Sequence, residues 1–135
     1  MKLTQATDYA FRAVLYLSKL PGEKVVEARV IAEHEQIPIR FMLRILLMLV
    51  RAGIVNSFRG VGGGYALAKT PRQITLLDVV EAIEGPICIS SCLLAPDECN
   101  KGNPGQCSVY EVLLSIQRLM NDKLGECNFE TLSNS

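Results

Sequence analysis

The 135-residue sequence has one histidine and no net charge, its 14 basic residues being matched by 14 acidic ones. It lacks any run of about 18 consecutive apolar residues, which excludes a membrane-spanning helix. The opening Met1-Lys2-Leu3-Thr4-Gln5 has neither the apolar stretch nor the small-residue cleavage site of a secretory signal, so a cytoplasmic location is expected. No Cys-x-x-Cys knuckle occurs, which argues against a structural zinc site. The one glycine-rich segment is not followed by Gly-Lys-Ser/Thr, so a nucleotide loop gains little support. With a lone histidine, His34, and no oxyanion-type motif, a Cys–His enzyme is not expected. There is no internal repeat. What remains is one domain's worth of chain, 49% of it apolar and able to bury a core.

The zero net charge conceals a division. Residues 1–72 hold 11 Lys/Arg and five Asp/Glu, or 11 − 5 = +6, whereas residues 73–135 hold three and nine, or 3 − 9 = −6. A basic half joined to an acidic half suggests a polyanion-binding face and a separate regulatory or assembly region. All five cysteines (Cys88, Cys92, Cys99, Cys107, Cys127) lie in the acidic half. In a reducing compartment such a group marks metal binding or redox chemistry more often than a disulfide framework. The plainer reading, that they are small buried apolar residues, stands beside it.

Helical spacing of Tyr9, Ala13, Tyr16, Leu17 and Leu20 predicts a first helix over 4–20, ended by Pro21-Gly22. A short helix fits 27–35. Pro38 suits the first turn of a third helix, which Gly53 stops. In that third helix Arg40, Arg44 and Arg51 project to nearly one side, and almost all else is apolar, so packing on several sides is expected. A short helix, a turn and an arginine-striped helix suggest helix-turn-helix geometry, with a solvated arginine face as the plainer alternative. Two short strands, 54–58 and 65–68, flank Arg59-Gly60-Val61-Gly62-Gly63-Gly64, a hairpin placed as the wing of a winged helix. The fold class expected is mainly α with a small β-hairpin wing.

In the acidic half Thr75 can cap a helix over 76–84, ended by Gly85-Pro86. Residues 86–107 form a long cysteine-rich loop of the kind that is functional or disordered. From 108 to 124 an apolar seam of Val109, Val112/Leu113, Ile116 and Leu119/Met120 suits packing against a partner helix. The segment after Gly125 reads as a polar, mobile tail.

These residues resemble the Rrf2 family of bacterial transcription regulators, which has IscR-like and NsrR-like branches. The resemblance runs over nearly the whole chain: Leu3-Thr4, Asp8-Tyr9-Ala10, Arg12-Ala13 and Tyr16-Leu17 at the start, then 49–55. The segment from Ser57 to Ala68 is its most specific part, followed by 74–85 and the cysteine loop. It implies a cytoplasmic homodimer of repressor type that crosses its long last helices and binds a pseudo-palindromic double-stranded DNA operator. Arg40 and Arg44, with Phe41 beside them, would enter the major groove, Arg59 with Gly60, Gly62 and Gly63 would follow the minor groove, and Lys2, Thr4, Arg51 and Ser57 would complete the DNA contacts.

The resemblance also implies an iron–sulfur cluster held by Cys92, Cys99 and Cys107, whose spread over a long loop suits a bulky cluster. IscR-like members carry a histidine three residues after the third cysteine, where this sequence has Tyr110. NsrR-like members use an aspartate of the partner's first helix, and Asp8 matches it; Cys88, and more weakly Cys127, are other candidates. A 4Fe–4S cluster is favoured over 2Fe–2S. Sensing of redox state, iron or nitric oxide would follow, with a cluster-free thiol–disulfide switch as the alternative.

Overall fold

The computed structural model describes residues 2–22, 24–89, 93 and 107–135. Helix α1 (Gln5–Lys19) starts at Thr4, whose hydroxyl accepts from the Thr7 N–H at 3.3 Å, and buries Ala10, Ala13, Val14 and Leu17 along one face. Helix α2 (Ala28–Glu35) ends at Gln36, in the left-handed region at φ 55. A tight turn then leads to Pro38 and α3 (Ile39–Arg51), and both α1 and α2 pack on α3. Gly53 at φ 77 releases the chain into strand β1 (Val55–Phe58), which pairs antiparallel with β2 (Gly64–Leu67).

The hairpin is tied back to the helices at one point. Val26 and Tyr65 exchange both backbone bonds, at 2.8 and 2.7 Å, so the chain just before α2 extends the sheet edge. Gly64 makes this approach possible. A Cβ there would stand 2.4 Å from the Val26 carbonyl oxygen, and its φ of 150 is unfavourable for other residues.

After a 3-10 turn (Pro71–Gln73), Thr75 and Asp78 form a reciprocal capping box that starts α4 (Leu76–Glu84). Helix α4 packs on α1 and α3. A long helix, α5 (Ser108–Glu126), lies against α4, and its Gly125 passes close to Leu77.

The last residues correct the expected mobile tail. They form α6 (Phe129–Ser133), capped by Asn128, and Phe129 is 1% exposed in the central core. Leu76 donates to the Cys127 carbonyl and Phe129 donates to the Ile74 carbonyl, both at 2.9 Å, which fixes this segment to the start of α4. Burial of a phenylalanine side chain contributes about 1.5–3 kcal/mol, enough to hold so short a helix. One core cluster joins Val14, Ile31, Leu46, Val55, Ile74, Val79 and Phe129. The change of charge near residue 72 is therefore a property of the surface, not of the core.

Candidate nucleic-acid interface and cysteine loop

Helix α3 turns Met42, Ile45, Leu46 and Leu49 inward and leaves Arg40, Arg44 and Arg51 exposed. The expectation of packing on several sides needs correction, because Ile39, Phe41, Leu43 and Leu47 are 42–50% exposed. Ten apolar residues exceed what the neighbouring α1, α2 and α4 can cover. The outer face consequently alternates guanidinium groups with aliphatic side chains. Phe41 leans on Tyr9 with ring centroids 6.3 Å apart.

Among the described residues the ion pairs are Arg12–Asp8, Arg29–Glu27 and His34–Glu35. None involves Lys2, Arg40, Arg44, Arg51 or Arg59, all of them exposed. A guanidinium stays charged at any physiological pH. Four such charges without a counterion among the described residues form a surface suited to a polyanion.

Arg59 leads into the hairpin turn, which the Gly63 N–H closes on the Gly60 carbonyl at 3.0 Å. Gly60 and Gly62 have φ of 86 and 76, and Val61 stands fully exposed at the tip. Gly63 has a reason of its own within the turn, since a Cβ would lie 2.5 Å from the Phe58 carbonyl oxygen. Ser57 is exposed on β1.

Lys2 and Thr4 are exposed at the start of α1. Thr4 and Arg44 share a groove of 480 Å³ with Tyr9, Phe41, Ile83 and Glu84, which brings the first residues of α1 beside α3. Sequence reasoning missed the contact on the far wall. The Glu84 carboxylate accepts from the hydroxyl of fully buried Thr7 and, at 3.4 Å, from the Thr4 N–H. An acid at a helix N-terminus is favoured by the dipole, but a residue 80 positions away offers no local signal.

Of the expected cluster ligands, Cys92 and Cys99 lie outside the described residues. Cys107 is half-buried at the N-cap of α5 and makes no side-chain capping bond. Asp8 is exposed on α1, its Oδ2 3.4 Å from Arg12 Nε. Arg12 is held in turn by the Glu35 carbonyl at 2.8 Å and by the Tyr9 ring. His34 is a surface residue whose ring meets Tyr16 at a tilt, centroids 4.7 Å apart. Among the described residues no three His, Cys, Asp or Glu gather to hold a metal ion.

The segment leaving α4 is fastened to α5 by Gln117, the one buried residue of that helix. Gln117 Oε1 accepts from the Ile89 N–H at 2.9 Å, and its Nε2 donates to Asn121 Oδ1 at 3.0 Å. The apolar seam of α5 divides in two. Leu113, Met120 and Leu124 are half-buried toward the body, whereas Val109, Val112, Ile116 and Leu119 are 41–67% exposed. No helix among the described residues is long and apolar enough to cross a membrane.

Comparison with known proteins places this architecture. The Rrf2 family model, described as an iron-dependent transcriptional regulator, matches residues 3–135. A putative HTH-type regulator of Synechocystis is 43% identical over 84 residues, covering 62% of this chain and 57% of that protein. An rrf2-like HTH-type regulator of Rhodobacter capsulatus is 34% identical, covering 84% of this chain and 80% of its own. In fold, the chain matches CymR, the global cysteine regulator of B. subtilis, with TM-score 0.80, 24% identity and coverage of 99% and 97%. It also matches T. potens IscR with TM-score 0.76, 23% identity and coverage of 99% and 88%. These relatives are regulators of transcription rather than enzymes, and the fold is the winged helix with a two-stranded hairpin.

Proposed function

We propose, from the premise that the chain belongs to the Rrf2 family of DNA-binding transcriptional regulators, that it represses transcription as a homodimer on a pseudo-palindromic operator. The observation that carries this reading is the set of exposed arginines shared by α3 and the wing, which have no acidic partner among the described residues. Arg40 and Arg44 read base edges in the major groove, where a bidentate arginine–guanine pair discriminates by about 1–3 kcal/mol. The exposed Leu43 and Leu47 on the same helix suit thymine methyl groups. Arg59 follows the minor groove, and Lys2, Thr4, Arg51 and Ser57 hold phosphates. Two copies meet through the exposed seam of α5, which presents two recognition helices about 34 Å apart.

Within this reading the loop over 86–107 holds an iron–sulfur cluster through Cys92, Cys99 and Cys107, with the partner subunit's Asp8 as fourth ligand and 4Fe–4S as the favoured type. The fit rests on Cys107. Its thiol makes no capping bond, and it sits where the N–H groups of α5 favour the negative charge of a thiolate-bound centre. When bound, the cluster supplies a redox- and iron-sensitive centre. The chain's own part is to hold it at the start of the dimer helix, so that its state and DNA affinity are linked.

Anaerobic purification with iron and sulfide analysis tests the sensor. The expected result is stoichiometric iron and sulfide with visible absorption, lost in Cys107→Ser and weakened in Asp8→Ala. A colourless, iron-free protein after anaerobic reconstitution would overturn the cluster. If its operator affinity still changed on thiol oxidation, a disulfide switch would take the cluster's place.

A further inference from the structure

Residues 84–89, where the chain leaves α4, are tied at both ends to other parts of the fold. At one end, Glu84 binds the first turn of α1 through the Thr7 hydroxyl and the Thr4 N–H. At the other, Gln117 of α5 binds the Ile89 N–H. Between them, Gly85 at φ 77 turns the chain out of α4, and the ring of Pro86 fixes its own φ. Five peptide steps reach at most about 18 Å, so the two anchors cannot drift far apart.

The placement of Gln117 gives this connection its importance. It is the one fully buried residue of α5; before it Val109, Val112 and Ile116 are exposed and Leu113 is only half-buried. The other end of α5 is already fixed, through α4 and the bond from Leu76 to the Cys127 carbonyl. The angle at which α5 leaves the body is therefore set where Gln117 grips Ile89. A buried amide is costly unless its partners are in place, and both ends of Gln117 have them.

We propose that residues 84–89 act as a strap that fixes the DNA-facing start of α1 against α5, making Glu84 and Gln117 positioning residues for the spacing of the two half-sites. The inference rests on the dimeric operator-binding reading above. One inserted base pair turns the second half-site by about 34° and moves it about 3.4 Å. A rigid connection resists that change and a loosened one accommodates it.

The test uses the full chain and duplexes selected from random DNA by the wild-type protein, then rebuilt with the half-site spacing changed by one and two base pairs. Wild type should disfavour a one-base-pair change by about tenfold or more, because mismatched geometry forfeits simultaneous engagement. Glu84→Ala, Thr7→Val and Gln117→Leu should reduce this discrimination to about twofold, leaving affinity for a single half-site unchanged. Glu84→Gln retains an acceptor oxygen without the charge and should keep wild-type discrimination, which separates positioning from repulsion of phosphates. Thermal melts identify any variant that fails to fold, and the remaining two then decide. Wild-type discrimination in folded Thr7→Val and Gln117→Leu would overturn the strap. A flat spacing profile in wild type would instead overturn the two-half-site reading on which the strap depends.

Discussion

The outer face of α3 and the outer face of α5 both expose aliphatic side chains, yet they differ in what accompanies them. On α3, Leu43 and Leu47 lie among Arg40, Arg44 and Arg51. On α5, Val109, Val112, Ile116 and Leu119 recur at three- and four-residue intervals with no basic residue until Arg118, the neighbour of the last. Hydrophobic exposure alone does not identify a partner. Charge interleaved with it points to a polyanion, whose binding weakens steeply with salt. A continuous apolar seam points to another helix, whose association rests on burial and responds little to salt at these concentrations.

The largest expected effect breaks the α5 side of this contrast. Ile116→Asp places a carboxylate in the middle of the exposed seam, where it costs little in an isolated chain because Ile116 is already 41% exposed. The variant should fold with wild-type circular dichroism and sediment as a monomer. Operator affinity should fall by about 10²-fold or more, since a second linked site contributes avidity of that order. A dimer that survives the substitution would show that the copies meet elsewhere.

A smaller effect is expected from the α3 side. Arg44→Ala should leave the dimer intact and weaken operator binding by about 5- to 150-fold, matching 1–3 kcal/mol for a lost bidentate contact. Preference at one base position in each half-site should relax with it. Wild-type affinity and base preference, measured by titration on a panel of single-base operator variants, would remove Arg44 from the readout. Together the two substitutions separate assembly from recognition.

Much of this organisation could be read before any coordinates, and the reasons are local. Thr4, Thr75, Gly53 and Gly85 mark helix ends with chemistry that acts over a few residues, and all four do so in the structure. The hairpin followed from glycines at a reversal between two short apolar runs. What escaped depended on distance along the chain. Phe129 and Leu132 are too few to show a helical period, and they fold because α1 and the start of α4 receive them. Glu84 and Thr7 are unremarkable in sequence, and their bond exists only once α4 has packed on α1. Gln117 did leave a trace, as a polar residue within an apolar period, but its partner at Ile89 is 28 residues away. The exposure of Leu43 and Leu47 was hidden for a related reason: composition shows how apolar a helix is, not how many neighbours it has.

Lys2→Ala should give the smallest effect and the sharpest view of the contrast. Lys2 is exposed, precedes the α1 cap and has no acidic partner among the described residues. A flexible ammonium there can approach a phosphate but lacks the planar fork that reads guanine. Its loss should weaken binding to every operator variant by a similar few-fold factor at low salt. The slope of log affinity against log salt should shrink by about 0.9, the value for one phosphate contact. Base preference and dimerisation should stay as in wild type. At high salt the two proteins should converge, because the counterions released on contact then gain less by dilution. If Lys2→Ala instead changed preference at a single base position, the start of α1 would belong to the reading surface, and the boundary between positioning and recognition would move from α3 into α1.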